Sequence, residues 1–553
     1  MNMENFEHCF EVAGKSGKYQ LIIACISITT SMFLPIVLLT LPINQIIPNF
    51  TFNQEGLDNN DGLGVINNQI VDRDLFCSTY YLNNNFDQIS KNIEILSDTV
   101  NWTSDLKYVC NTKKIFSLVG TFYFLGNIAS NLVFNKFPDR YGRRNIFIIF
   151  NLVSFFVLLQ VMFLKSYVQI LITSFIMGVT TLNLSTGTVI VIETIDKSYS
   201  GSVIGITNAM FPFIGLVNLT LVYLFGNWRL VYIWAILANV AVNILSFVYL
   251  KESPTWLNAN KRYEELEEVF KFIAEINGNT KEFEEFLSNP KNTKIERDPE
   301  YTSLNLEQSC KKVTHLKRYK QHVYEITDLF IYPSLRMLTI KNIGLWAITG
   351  FSFFGVLLNL EGLTGSLEID SLVAYIAEFI AEVASGYLAF IYGRRRMILY
   401  SFSFSVIGLF GFIIITLFSK IIGLMFLFLA CLGIASAFNL LYIYSSELYP
   451  TNIKGLAINI LSLTNRLISC IVPTFIAYFN GSSFICILGV LSVFGFLITL
   501  QLPESMDFNP GNEVEELEED FEDFESEEDL SINGSNADGV VYLYDITRLL
   551  KSP

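Results

Sequence analysis

The chain has 553 residues, of which 52% are hydrophobic and only 16% charged, against about 25% charged in an ordinary soluble domain. That composition excludes a free globular protein. The formal net charge of −15 says little about the apolar part, because most of the excess lies in the tail from Glu513 to Asp529, a single-sign run of the kind that is normally solvated.

In chain order, residues 1–19 are polar. The first apolar run is too long for the core of a cleavable signal, so the first helix itself is expected to direct insertion. Apolar runs of about 20 residues, the length that crosses a bilayer, then fall near 20–44, 115–135, 146–164, 168–192, 202–225, 230–250, 337–358, 371–391, 397–419, 421–443, 456–479 and 482–502. This predicts twelve membrane helices. The domains are read as an N-terminal segment (1–19), a first six-helix bundle (20–250) with a loop at 45–114, a linker (251–336), a second six-helix bundle (337–502) and an acidic tail (503–553).

The 45–114 loop carries two sequons, at Asn49 and Asn101, which make glycosylation a candidate. It also holds Cys77 and Cys110, expected as a disulfide on an oxidising face, with two free thiols as the alternative. After the second span comes NKFPDRYGRRN, with Asp139, Arg140, Arg143 and Arg144. After the eighth comes AFIYGRRRMIL, with Arg394 to Arg396. Lys136, Lys251, Lys261 and Arg262 reinforce the same side, while the alternate loops are poor in such residues. The positive-inside rule puts both termini in the cytosol and the 45–114 loop outside.

The two Gly-Arg-Arg knots belong to an internal repeat. Glu193 and Glu447 each end a helix, and a glycine (Gly201, Gly455) follows at the same spacing. LKESP and LPESM, with Glu252 and Glu504, close spans 6 and 12. All three motif pairs share an offset of about 250 positions, which argues for two parallel six-helix halves. The arginines are expected to pair with Glu193 and Glu447 and to cap helix ends where the halves meet, forming a cytosolic gate of Asp139, Arg140, Arg143, Glu193, Arg394 and Glu447. Topology anchoring is the alternative. In the linker, Leu266, Val269, Phe270 and Ile273 share one helical face that could pack under the bundle. A basic patch at Lys311, Lys312, Lys317, Arg318 and Lys320 could meet anionic headgroups. Ser526, in FESEEDL, is a weak phosphorylation candidate.

On these motifs the chain resembles the major facilitator superfamily, and within it the organic ion transporter family of organic cation, organic anion and carnitine carriers. FPDRYGRR resembles the superfamily's loop signature. ESPTWL (252–257), NWTSDLKYVC (101–110), SSELYPT (445–451) and FSFFG (351–355) resemble the family's own stretches, and no Gln-Gln pair of the sugar carriers stands between Leu335 and Asn359. Asn135 departs from the signature's glycine, and Phe390 and Ile391 stand where the first knot has Asp139 and Arg140. The resemblance implies an all-α fold of twelve helices in two halves, the plasma membrane as the default location with an organellar membrane as the alternative, and transport without covalent chemistry or a bound cofactor.

A charge at mid-bilayer costs about 2.5–3.5 kcal/mol on insertion scales, so such residues face a cavity or one another. Glu378 and Glu382 lie mid-span, four apart on one face, and Arg466 lies mid-span in helix 11. By resemblance, Arg466 sits where anion and carnitine carriers place an arginine, Glu378 where cation carriers place a glutamate, and Glu382 where anion carriers tend to have a lysine. The expected substrate is a zwitterion, then an organic anion, with aromatic walls from Phe353, Phe354, Phe211, Tyr375, Phe213 and Phe379. The alternative for the charges is an internal Arg466–Glu pair. The leading expectation is alternating-access transport of a small organic ion by a monomer in the lipid bilayer, with no enzyme activity, metal site or nucleic-acid partner. Weighed against it are a non-transporting membrane subunit or receptor, part of a larger complex, and a proton-coupled carrier of sugar or another neutral solute.

Overall fold

A computed structural model of the protein describes residues 3–46, 50–52, 77, 93–95, 100–108, 110, 112–288, 328–331, 333–360, 363–364, 366–449, 451–479 and 481–505. Twelve of its helices are long and apolar enough to cross a membrane: α1 (Lys18–Asn44), α2 (Lys114–Phe134), α3 (Arg143–Val161), α4 (Tyr167–Thr194), α5 (Tyr199–Phe225), α6 (Arg229–Tyr249), α7 (Leu335–Leu358), α8 (Leu367–Tyr392), α9 (Arg394–Ile415), α10 (Lys420–Leu448), α11 (Ile453–Tyr478) and α12 (Gly481–Leu500). They match the twelve expected spans one for one, with ends displaced by a few positions. The largest extension is at the knot end. There α10 runs on to Leu448 because Glu447, which hydropathy assigns to water, is held by Arg394 at 3.1 Å. The Lys311–Lys320 patch, Asn49 and the tail with Ser526 lie outside the described residues.

The helices are not straight rods. α1 breaks into Lys18–Phe33 and Ile36–Asn44 at Pro35, where the missing N–H interrupts the ladder. α5 and α11 carry Pro212 and Pro473 within their length, and α2 ends in a π-helical turn over Ser130–Phe134. Helices α1–α6 pack mainly among themselves, as do α7–α12. In the first half, buried amides tie α3 to α6. Asn239 donates to the Ser154 hydroxyl at 2.9 Å, the kind of interhelical polar contact that holds helices together in lipid, and Asn243, one turn along α6, donates to Asn239 at 2.7 Å.

At the knot end, a short helix Met3–Ala13 lies on the linker helices Tyr263–Asn277 and Thr280–Ser288. The face anticipated from the sequence is buried at Leu266, Val269, Phe270 and Ile273, and much of what covers it is this N-terminal helix. Phe6 and Phe10 stand 5.8 and 5.9 Å from the Phe270 ring. Asn277 locks the arrangement onto α1. Its amide donates to the carbonyls of Ala13 and Gly14, each at 3.1 Å, and its oxygen accepts from the Tyr19 N–H at 3.0 Å.

The two halves meet along a seam that is closed only in part. Every hydrogen bond and ring contact between halves among the described residues lies at mid-span or towards the end away from the knots. α2 meets α11 through Thr121, which donates to the Cys470 carbonyl at 3.1 Å. α5 meets α8 at Gly215, where a Cβ would fall 2.5 Å from the Tyr375 ring. Towards the knot end the seam opens. A Cβ at Gly201 or Gly205 of α5, or at Gly455 of α11, would meet nothing within 4 Å.

Candidate functional site

The two knots have the same construction. Gly142 has φ 96°, ψ 147° and Gly393 has φ 95°, ψ 147°, a left-sided conformation that a side chain resists. Each turn delivers the start of the next helix to a carboxylate from the end of its own half. The Glu252 Oε1 atom accepts from the backbone N–H of Arg143 at 2.8 Å, of Arg144 at 3.2 Å and of Ser253 at 3.0 Å. Glu504 accepts from the Arg395 N–H at 3.1 Å. These are orphan donors at a positive helix end, and a carboxylate is the acceptor that suits them.

The guanidinium groups then pair inside each half. Arg143 binds Glu193 and Asp139, both at 3.1 Å, and Arg394 binds Glu447 at 3.1 Å, whose other oxygen accepts from the Ser505 hydroxyl at 2.5 Å. Arg140 stacks on Tyr141 at 5.3 Å, with no ion pair among the described residues. The expected pairing of these arginines with Glu193 and Glu447 is present, and each pair lies within one half, where it ties together the helix ends of that half. Asn135 has φ −59°, ψ −28°, an ordinary helical conformation, so the position has no conformational need of the glycine.

At the opposite end, residues 100–108 pack onto the first half. Asn101 is only 4% exposed. Its oxygen accepts from the Ser104 N–H and the Thr103 hydroxyl at 2.9 and 2.6 Å, and its amide donates to the Ile46 carbonyl at 2.7 Å. The neighbouring Trp102 is buried edge-on to Trp228 at 6.1 Å. Cys77 and Cys110 are joined by a disulfide, Cα to Cα 5.7 Å. The Asn101 sequon is therefore corrected from a candidate glycan site to a structural cap, because the nitrogen that would carry the sugar is sealed under Ile46. Asn101→Gln is expected to leave the glycan mass unchanged and to destabilise the protein by about 1–3 kcal/mol through the lost cap and the unpaired polar groups. Endoglycosidase shift and thermal unfolding of the two proteins measure this.

At mid-span, α8 and α11 present the unusual charges. Glu378 is buried, 3% exposed, and its Oε2 has no partner. Glu382 and Arg466 are partly exposed. The Arg466 Nε is buried without a partner, and among the described residues no carboxylate forms an ion pair with it. The Arg466–Glu alternative is thus not the arrangement seen. Tyr442 of α10 stands between the two kinds of charge, within electrostatic reach of Arg466 and of Glu382, and its hydroxyl bonds Ser462. Tyr123 of α2 is the other phenol within reach of Arg466.

Aromatic rings surround this region. Phe353 stacks on Phe438 at 4.7 Å and lies 6.0 Å from Phe211. Phe354 meets Phe124 at 4.8 Å, and Tyr442 meets Trp346 at 4.5 Å. Phe354 and Phe211 are partly exposed, whereas Phe353 and Tyr375 are buried in the seam. Phe213 and Phe379 meet across the seam at 6.4 Å. The sequence reading did not single out Tyr123, Phe124, Phe438 or Tyr442, although Phe438 and Tyr442 stand four apart on α10.

A small cleft open to solvent lies elsewhere, at the end away from the knots, lined among others by Leu41, Gln45, Ser117, Asn359 and Pro473. None of the three charged residues lines it. An ion entering it would find amides and a hydroxyl but no countercharge, so the charged mid-span region is the better site for a charged solute. No group of three metal-ligating residues occurs among the described residues.

Comparison with known proteins bears on fold and family. The family model of the Major Facilitator Superfamily matches residues 21–473. The chain is 26% identical over 412 residues to the organic cation/carnitine transporter 2 of Homo sapiens, spanning 72% of this chain and 68% of that one. It is 24% identical over 441 residues to solute carrier family 22 member 6 of Pseudopleuronectes americanus, spanning 77% and 73%. Among solved structures, the inward-open xylose transporter XylE from E. coli superposes with a TM-score of 0.58 over 88% of this chain and 96% of that one, at 15% identity, a likeness of fold alone.

Proposed function

Since the chain belongs to the Major Facilitator Superfamily, and is thus a multi-pass membrane transporter rather than an enzyme, we propose that it carries a small organic zwitterion or organic anion by alternating access. Arg466 takes the substrate's anionic end, and the rings of Phe354, Phe211 and Tyr442 enclose the rest. One observation supports this most directly: a guanidinium at mid-span with a buried, partnerless Nε. A permanent charge kept in a membrane interior without an internal partner is costly, and an arriving carboxylate supplies the missing partner with forked, charge-assisted hydrogen bonds.

By the positive-inside rule the knots face the cytosol, so the open end of the seam faces inward and the 100–108 segment faces outward. The plasma membrane is the expected location. The relatives named for organic cation and carnitine transport favour an organic ion over a sugar, since their similarity runs through sequence as well as fold.

Purified protein in liposomes tests the reading with three probes: carnitine as a zwitterion, a quaternary ammonium ion without a carboxylate, and an aromatic carboxylate. Saturable uptake is expected for the first and third, with the carboxylate-free cation at least about tenfold slower, the discrimination that one lost charged contact of about 1.5–3 kcal/mol produces. Equal uptake of the carboxylate-free cation, or no uptake of any probe, would overturn it.

A further inference from the structure

The N-terminal helix, Met3–Ala13, has 11 residues, and a helix shorter than about 12–15 residues is marginal by itself in water. The surface under it is therefore what keeps it folded. Its apolar positions Phe6, Cys9, Phe10 and Ala13 share one face, and the last three are buried. Phe10 meets the Phe270 ring at 5.9 Å, and His8 meets Phe286 edge-on at 5.0 Å. The last carbonyls of a helix have no partner within it, and here two asparagines of the linker supply one. Asn279 donates to Val12 at 3.4 Å, and Asn277 donates to Ala13 and Gly14. The hinge makes room for Asn277. A Cβ at Gly14 would fall 2.9 Å from its Nδ2, and one at Gly17 would strike its Oδ1.

Charge works against this docking. Residues 3–13 carry three glutamates and no lysine or arginine, and the two linker helices beneath carry eight glutamates against two lysines. Apolar burial and the asparagine bonds hold the helix down while like charges push it off. We propose that this face of the linker helices is a helix-binding groove, that the N-terminal helix is its exchangeable occupant, and that docking controls the start of α1. The groove takes an amphipathic helix with apolar groups at the spacing of Phe6, Cys9, Phe10 and Ala13. The route to α1 is Asn277, whose oxygen also accepts from the Tyr19 N–H and whose amide reaches the Gln20 side chain at 3.2 Å. In the same hinge the Lys15 carbonyl accepts from the Asp196 N–H at 3.3 Å, between α4 and α5. Undocking takes the three carbonyls from the asparagines and loosens both ties. The effect on transport rests on the proposed function; the groove itself does not. A short hinge holds its occupant at an effective concentration on the order of 1 mM, so a helix that stays docked binds in trans with Kd below about 0.1 mM.

The test uses a fluorescent peptide of residues 3–16 and two full-length proteins: wild type, and the double variant Phe6→Ala/Phe10→Ala, whose own helix no longer fills the groove. The peptide is expected to bind the double variant with Kd below about 0.1 mM, and wild type at least about tenfold more weakly. Its affinity rises with salt, because screening weakens the repulsion, and the peptide carrying Phe10→Ala does not bind. In wild type, amide hydrogen exchange is expected to be at least about 100-fold faster in Met3–Ala13 than in Tyr263–Asn277, a readout that holds even if the double variant misfolds. In liposomes, carnitine uptake by the double variant falls at least about fivefold and returns with excess peptide. No peptide binding to a folded double variant, or equal exchange in the two wild-type helices, overturns the exchangeable groove. Peptide binding with unchanged uptake overturns the control of α1 and leaves the groove. Failure of every probe to enter through wild type overturns the transport reading, while binding and exchange still decide the groove.

Discussion

Arg466→Ala is expected to lower carnitine and aromatic carboxylate uptake by about 30-fold or more while leaving the protein as stable as before, or more so. The two halves of that expectation have one physical origin. In the empty carrier the Arg466 Nε is buried without a partner, so deleting the side chain removes a desolvation cost of about 2.5–3.5 kcal/mol and breaks no internal ion pair. In the loaded carrier the same group is the substrate's countercharge, and losing one partner of a buried charge pair costs 2–5 kcal/mol or more, about 30-fold to several thousand-fold. Arg466→Lys keeps the charge but loses the planar fork, so an intermediate loss of about tenfold is expected. Initial uptake rates and thermal unfolding of the purified variants give both readouts. If Arg466→Ala unfolds at a markedly lower temperature and a second change at Glu378 restores it, the guanidinium is a structural partner of the acidic pair and not a substrate ligand.

Much of this architecture is written in the sequence at the points where charges interrupt apolar runs. The knots, Glu193 with Glu447 and Glu252 with Glu504 are readable because an ionic residue at a helix end in lipid has few alternative uses, and its repetition half a chain later is not masked by composition. What each charge binds was less readable. The Arg143–Glu193 and Arg394–Glu447 pairs follow from the motifs, but the role of Glu252 as acceptor for three backbone N–H groups depends on how the end of α6 returns to the start of α3. Asn101 misled for the same reason. A sequon and a helix cap use the same residue types, and only burial separates them. The aromatic wall was hardest to read, because 48 phenylalanines and 26 tyrosines give every helix candidates. Phe438 and Tyr442 are distinguished by facing the seam, which periodicity cannot reveal in a helix apolar on all sides. The N-terminal helix escaped for the opposite reason: its few apolar residues, Phe6, Cys9, Phe10 and Ala13, make a narrow stripe that gains meaning only beside Phe270.

Gly142→Ala is expected to damage the carrier more than any other single-methyl addition at the knots, and more than Gly393→Ala. A side chain at φ 96° is strained by about 1–3 kcal/mol wherever it occurs, and the two glycines share that conformation. They differ in what the new methyl would strike. At Gly142 the Cβ would fall 2.3 Å from the Glu252 Oε2, whereas at Gly393 it would stand 2.8 Å from the Glu504 Oε2. The Glu252 carboxylate has little room to yield, because its other oxygen accepts from the N–H groups of Arg143, Arg144 and Ser253 at once. Glu504 holds the Arg395 N–H and can shift at smaller loss. Displacing Glu252 frees the start of α3, lets Arg143 drift from Glu193 and uncouples the helix ends that must swing together. The measurable consequence is a fall of several degrees in unfolding temperature together with loss of transport in Gly142→Ala, and a milder version of both in Gly393→Ala. Glu252→Gln separates the causes. It removes the charge with no added bulk, so if its unfolding temperature matches that of Gly142→Ala, the lost carboxylate acceptor and not the backbone strain dominates. Wild-type stability and transport in Gly142→Ala would show that the first knot does not hold its half together.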